Sequence, residues 1–101
     1  MRSFLFKTVL VAIAHLQLFS TFIIMIKEDE ILRVIKGVGD QGGTTGNVME
    51  ILGFSSADFQ RGFDLANEMQ NRDLVKLLYS NFNQNKIVVE FTLLGKAAYE
   101  G

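Results

Sequence analysis

Apolar and polar residues fall at helical spacing from Glu28 onwards, after a long apolar stretch at the start of the chain. The pattern predicts a helix with the buried face Ile31, Leu32, Val34, Ile35 and Val38. Gly37 and Gly39 are expected to end this helix, because glycine commonly follows the last helical turn.

The next segment predicts a second, short helix between two glycine-containing stretches. Residues 37–43 form a glycine-rich link, after which Thr44 or Thr45 can cap a helix. This helix is expected from Gly46 to Leu52. Gly53 then ends it in the left-handed conformation that glycine adopts easily.

A third helix is expected from Ser56 to Gln70, with Ser55 or Ser56 as its cap. Its apolar residues recur at spacings of four, three and three, and they are Phe59, Phe63, Ala66 and Met69. Gly62 lies mid-helix at a cost of about 1 kcal/mol relative to alanine. Either a partner approaches closely there or, as we favour, the glycine accommodates internal packing.

The last third of the chain changes to β-favouring residues and ends in a helical pattern. Leu74–Tyr79 and Lys86–Thr92 predict two strands. The turn between them, Ser80–Asn85, contains several asparagines, which tolerate the left-handed conformation of tight turns. A hairpin is therefore predicted, followed by a short helix over Leu93–Tyr99. The fold class is mainly α with a small β-hairpin, that is, α+β.

Three segments in this order carry a resemblance to a known family: Leu52-Gly53-Phe54-Ser55, then Asp73-Leu74-Val75, then Phe91-Thr92-Leu93-Leu94-Gly95-Lys96. Over residues 28–101 the chain resembles MarR-type and related small prokaryotic or phage winged helix-turn-helix proteins. The resemblance implies a winged-helix domain at residues 27–101, preceded by an apolar N-terminal helix. It also implies a DNA-binding transcriptional regulator. A homodimer fits because one module of this size contacts little DNA.

Residues 1–26 form an apolar segment that allows four interpretations. The run Thr8–Ile26 is about as long as the roughly 20 residues of a membrane-spanning helix. It can instead be a helix packed in a dimer core or against the domain. It can be untranslated sequence before a true start at Met25. A cleaved signal peptide ending at Ala12-Ile13-Ala14 would have too short a leader. We expect a cytoplasmic protein or, alternatively, one anchored in a membrane through residues 4–26.

Composition and charge restrict the kinds of site and partner that the chain can have. The chain has no cysteine, which excludes disulfides and cysteine-based metal sites. From residue 27 to residue 101, eight Lys and Arg residues stand against eleven acids, a balance of -3. Such a balance argues against strong non-specific DNA binding, which depends on many phosphate contacts.

Two motifs with possible chemistry lack the context that the chemistry requires. Gly37–Gly42 matches G-x-G-x-x-G, but a helical pattern precedes it where a dinucleotide site needs a strand. A phosphate-binding loop is weaker still, because Gly43 stands where its lysine would be. His15 has no nearby acid or cysteine with which to form a metal site or a triad. We therefore expect no cofactor, no metal and no enzymatic activity.

The candidate DNA-binding residues lie on the third helix and around the hairpin. An arginine can bind guanine with two hydrogen bonds, and Gln or Asn can bind adenine in the same way. The recognition-helix candidates are Ser56, Gln60, Arg61 and Asn67. The candidates on the hairpin, or wing, and for phosphate contacts are Lys76, Asn83, Lys86 and Lys96.

The alternative hypothesis is a winged-helix module that binds another protein and not DNA. Asp58, Asp64 and Glu68 outnumber Arg61 on the third helix, and recognition helices are seldom so acidic. Phe82, in the hairpin turn, would serve as an exposed apolar anchor for the partner. Such a module could be tethered to a membrane by the apolar segment.

Overall fold

The computed structural model describes residues 26–101 of the chain. In chain order its elements are α1 (residues 26–40), β1 (Thr45–Asn47), α2 (Val48–Leu52), a 3-10 turn (Ser56–Asp58), α3 (Phe59–Asn71), β2 (Val75–Asn81), β3 (Lys86–Phe91) and α4 (Leu93–Glu100). This part of the chain is α+β, with four α-helices and one three-stranded antiparallel sheet. The class predicted from sequence is confirmed at this level.

The sheet has the order β1-β3-β2, so β3 is the central strand. Ile87 and Val89 of β3 are fully buried under the helices, and the residues that alternate with them face the outer side of the sheet. The register between β2 and β3 is irregular between Leu77 and Tyr79. Leu78 therefore forms a bulge on the edge strand, and 44% of its surface is exposed.

One hydrophobic core joins the helices to the inner face of the sheet. The side chains that are fully buried come from five elements, and the largest are Met49, Met69, Ile87, Val34, Val38, Val48, Val75 and Val89. Gly62 of α3 lies against this core, because an added Cβ would be 2.4 Å from the Met49 sulfur and 3.3 Å from Ile87. The expectation that Gly62 accommodates internal packing is thus confirmed.

The glycines of α1 do not end the helix, so that prediction was wrong. Helix α1 continues through Gly37 and Gly39 to Asp40. A Cβ on Gly37 would lie 2.5 Å from Ile51, and one on Gly39 would lie 2.3 Å from the Tyr99 ring. These glycines therefore provide close approach for α2 and α4, and the cost of glycine in a helix is offset by that packing.

The start of α2 also differs from the prediction. Neither Thr44 nor Thr45 caps the helix, because residues 45–47 pair with β3 as a strand. Asn47 is the cap, and its Oδ1 accepts hydrogen bonds from the backbone N–H of Met49 at 3.2 Å and of Ile87 at 3.0 Å. A single asparagine thus joins the helix start to the central strand. The left-handed glycine cap at Gly53 is confirmed by its φ of 69°.

The hairpin and the terminal helix agree with the sequence prediction. Strands β2 and β3 are joined by a four-residue turn whose last residue, Asn85, has a φ of 54°. One packing expectation failed: Leu32 was assigned to the buried face of α1, yet 63% of its surface is exposed. It lies one residue beyond Ile31, at the edge of the buried face.

Residues 1–25 lie outside the described range, and they include His15 and all of the apolar N-terminal segment except Ile26. The structure therefore does not bear on the four interpretations of that segment. Between residues 26 and 101 we find no helix with the length and apolar character to cross a membrane.

Candidate nucleic-acid interface

The hairpin turn is fixed against the N-terminal end of α3. The rings of Phe82 and Phe59 meet edge to face, with centroids 5.3 Å apart and an interplanar angle of 85°. The side-chain amide of Asn85 donates a hydrogen bond of 2.9 Å to the carbonyl oxygen of Phe54. The turn and the exposed side of α3 therefore form one continuous surface, which we call the α3–hairpin surface. Its members include Ser56, Gln60, Asp64, Asn67, Phe82 and Asn83.

The polar side chains of this surface are mostly uncharged or acidic. Ser56, Gln60 and Asn83 are exposed, and Asn67 is half-buried. Gln60 donates a hydrogen bond of 2.9 Å to Asp64, one helical turn further along α3. Four of the predicted recognition and wing residues are thus placed on one surface.

Arg61, one of the four recognition-helix candidates, points towards α1. Its Nη2 donates a hydrogen bond to Oε1 of Glu30 and forms an ion pair with it. The guanidinium carbon also lies 4.8 Å from the centroid of the Phe54 ring. The Glu30 side chain is only 9% exposed, whereas that of Arg61 is 53% exposed. A nearly buried carboxylate without a cation would be costly, so this contact holds Arg61 more firmly than a surface ion pair would.

Arg72, just after α3, is also bound to α1. Its Nη1 lies 2.6 Å from Oε1 of Glu28, and its Nε donates a 3.1 Å hydrogen bond to Glu68. The hydrogen bonds to Glu28 and then Glu68 raise the pKa of the Arg72 guanidinium. Both arginines at α3 are thus occupied by acids of α1, while within residues 26–101 no cation pairs with Asp64.

The three candidate lysines do not line α3. Lys76 is opposite Glu90 in the β2–β3 register, and Lys86 is opposite Asn81. Both lysines are exposed on the outer face of the sheet, whereas α3 packs on the inner face near Ile87. Lys96 is on α4. The structure therefore groups the uncharged candidates Ser56, Gln60, Asn67 and Asn83, with Lys86 beside the hairpin turn, and separates them from Arg61, Lys76 and Lys96.

Sequence reasoning missed Glu30 and Phe54, which determine where Arg61 lies. A signal for Glu30 was present, because it precedes Val34 and Val38 by four and eight residues and so falls on the buried face of α1. An acid in phase with a buried face predicts a cationic partner. The sequence gives no comparable signal for the stacking of Phe54 under Arg61.

The described residues contain no group of three or more acids or histidines that could hold a metal ion. The G-x-G-x-x-G segment begins inside α1, so a helix stands where a dinucleotide site needs a strand. Comparisons of the chain with protein-family models, with curated proteins and with solved structures give no match. The geometry of these residues is therefore the basis for assigning a function.

Proposed function

We propose that residues 27–101 form a winged-helix domain that binds double-stranded DNA, as a small transcriptional regulator does. The observation that carries this proposal is the element order α1-β1-α2-α3-β2-β3-α4 together with the sheet order β1-β3-β2. In this arrangement α3 is the recognition helix and the β2–β3 hairpin is the wing. The fixed contact between the hairpin turn and α3 supports their use as one binding surface.

The side chains suit contacts with base edges better than contacts with phosphates. Gln60 and Asn67 can each bind adenine through two hydrogen bonds, and Ser56 can bind a phosphate or a base. Asn83 and Lys86 are placed to contact the sugar-phosphate backbone beside the groove. Neutral hydrogen-bonding groups on α3 thus supply specificity, while few cations supply affinity.

Weak binding by a single copy follows from this charge distribution. Because Lys86 is the one candidate lysine beside this surface, the logarithm of affinity of a single copy should fall with the logarithm of salt at a slope of about -1. Non-specific affinity should then lie near a dissociation constant on the order of 10⁻⁴ M at physiological salt. Useful affinity requires two copies on adjacent half-sites.

We place the proposed homodimer contact on α1 and α4. Leu32 of α1 lines a groove with Ala98 and Tyr99 of α4. Leu94 precedes Ala98 by one turn and is 52% exposed, and Leu93 is 90% exposed. We call this patch the α1–α4 surface. A second copy that buries these side chains would remove a large apolar area from water.

Fluorescence anisotropy with the full chain and a labelled mixed-sequence duplex tests DNA binding. We expect measurable binding at low salt that weakens as salt rises. Lys86→Ala and Gln60→Ala should both weaken it, because the first removes a backbone contact and the second a base contact. Arg33→Ala is the matched control, since Arg33 is an exposed cation on α1 that does not line the groove between α1 and α4. Absence of binding even at low salt would overturn the proposal.

A protein partner is the second candidate, favoured by a specific observation. Asp58, Asp64 and Glu68 accompany an exposed aromatic ring, since Phe82 keeps 59% of its surface exposed beside Phe59. An apolar anchor packed on an acidic helix suits a partner that presents both an apolar side chain and a cation. Binding of this kind should change little with salt at its apolar centre and should be lost in Phe82→Ala. Salt dependence therefore separates the two candidates.

A further inference from the structure

We propose that Glu30 restrains the DNA-binding surface by holding Arg61 against α1, and that displacement of the stretch of α1 around Glu28 and Glu30 releases Arg61 for nucleic acid. Glu30 is then a positioning residue and not a DNA contact. This inference rests on the proposed DNA-binding function and names the regulation of that same surface.

The position of Arg61 in α3 makes such a switch possible. Arg61 directly follows Gln60, whose side chain lies on the α3–hairpin surface, and its own side chain is 53% exposed. The guanidinium contacts Glu30 and the Phe54 ring at the border of that surface. A rotation of the flexible arginine side chain would bring the cation to the side of Gln60.

Space for the movement is present next to the ion pair. A cavity of about 400 Å³ is lined by Ile26, Lys27, Glu30, Arg61, Asp64 and Leu65. The cavity extends from the ion pair to Asp64, which is on the exposed side of α3. The guanidinium can therefore leave Glu30 without displacing core side chains.

The same short stretch of α1 holds both arginines at α3. Glu28 binds Arg72, and Glu30 binds Arg61. The two acids are two residues apart on α1, whereas the two arginines are eleven residues apart in the chain. A shift of these turns of α1 would break both ion pairs at once. Arg61 would then be free to join the α3–hairpin surface, whereas Arg72 would keep its hydrogen bond to Glu68.

A double-mutant cycle on the full chain tests the restraint, with anisotropy of a labelled mixed-sequence duplex at low salt as the readout. We expect Glu30→Gln to tighten binding by about fivefold, the upper end for one added solvent-exposed charge pair. The gain should vanish when Arg61→Ala is combined with Glu30→Gln. If the gain persists in the double variant, loss of a negative charge explains it and the inference is overturned. Unchanged affinity in Glu30→Gln overturns it as well.

Two controls keep the outcome clear. Asp64→Asn removes an acid from α3 without freeing Arg61, so its effect should not depend on Arg61. Glu30→Met replaces the nearly buried carboxylate by an apolar group of similar size and serves if Glu30→Gln unfolds in circular dichroism. It should give the same Arg61-dependent gain.

An NMR measurement separates this inference from the proposed function. The Nη2 protons of Arg61, which the bond to Glu30 protects, should exchange with water faster in Glu30→Gln than in the wild type, whether or not DNA binds. Absence of DNA binding by every variant would refute the DNA-binding function, while faster exchange would still support the hold of Glu30 on Arg61. Equal exchange rates would overturn that hold itself.

Discussion

The α3–hairpin surface and the α1–α4 surface differ in how their side chains are satisfied. On the first, the side chains are mostly polar, and Gln60 and Asp64 are hydrogen-bonded to each other. On the second, leucines are left in solvent, and Leu93 keeps 90% of its surface exposed. The first surface can therefore remain in water and exchange its hydrogen bonds with those of a partner. The second surface is stabilised only when a partner buries it.

The two surfaces also differ in how they are joined to the core. The hairpin is fixed to α3 by an aromatic pair and an amide hydrogen bond. Helix α4 is fixed near its start by a close backbone contact, because Gly95 is buried against the carbonyl oxygen of Leu74, and near its end by the hydrogen bond from Tyr99 to Asp40. The geometry of the apolar surface thus depends on one glycine and one tyrosine, and that of the polar surface on the contacts of the hairpin turn with α3.

The largest predicted effect is on the packing of α4 against Leu74 and hence on the stability of the fold. In Gly95→Ala the new Cβ would lie 1.9 Å from the Leu74 carbonyl oxygen, a backbone atom that cannot move away cheaply. We expect a loss of about 3 kcal/mol in the free energy of unfolding, despite the better helix propensity of alanine. Urea denaturation followed by circular dichroism measures it.

Gly43→Ala is the matched control, since nothing lies within 4 Å of a Cβ there. It should change stability by less than about 0.5 kcal/mol. Equal stabilities for the two variants would show that α4 does not pack against the Leu74 carbonyl as described.

The glycines of α1 show where the sequence predicts the fold and where it does not. The hairpin, α4 and the body of α3 follow from local patterns, such as β-favouring runs and a four-three-three apolar repeat. The predicted start of α3 was wrong, because a 3-10 turn occupies Ser56–Asp58, no serine side chain caps it, and α3 begins at Phe59. Gly37 and Gly39 follow from contacts with Ile51 and Tyr99, which are far along the chain. A helix terminator and a close-approach glycine have the same sequence signature, so only the tertiary contact distinguishes them.

The candidate site shows the same division. The exposed side of α3 was predicted from its periodicity, which placed Gln60 and Asn67 away from the core. The direction of Arg61 was not predicted, because it depends on Glu30, thirty-one residues earlier in the chain. Local sequence determines which face of a helix is polar, but the pairing of one long side chain depends on neighbours that only the fold brings close.

A medium effect is expected on self-association through the α1–α4 surface. Replacing Leu93 and Leu94 together by Gln removes most of its exposed apolar area on α4. If a second copy binds there, the dimer should dissociate into monomers at micromolar concentration, since each lost leucine contact removes about 1.5 kcal/mol or more. Sedimentation equilibrium measures the mass directly.

Leu78→Gln is the control for the dimer prediction, because Leu78 has a comparable exposure of 44% but lies on the edge strand. It should leave the mass unchanged. A wild-type chain that is monomeric at high micromolar concentration would contradict the proposed dimer contact. The α1–α4 surface would then need another partner.

The smallest predicted effect is a pH dependence confined to the α1–α4 surface. The Tyr99 hydroxyl donates a 2.8 Å hydrogen bond to Oδ1 of Asp40, at the end of α1. This bond, more than desolvation, raises the pKa of Tyr99 above the ordinary tyrosine value of 10.0. Because the pKa is raised on folding, the bond stabilises the fold fully below the unfolded value, and the stabilisation is lost as pH rises through the folded pKa.

Tyrosinate absorbance in a Tyr79→Phe background reports Tyr99 alone, since the chain has two tyrosines. Asp40→Asn should lower the pKa of Tyr99, because the amide oxygen is a weaker acceptor than the carboxylate and carries no charge. The free energy of unfolding of the Tyr79→Phe chain should then fall between neutral pH and pH values above 10, and the fall should be smaller with Asp40→Asn. An unchanged Tyr99 titration in Asp40→Asn would mean that the hydrogen bond does not persist in solution. In that case Gly39 alone, through its contact with the ring, would hold α4 to α1 at this end of the surface.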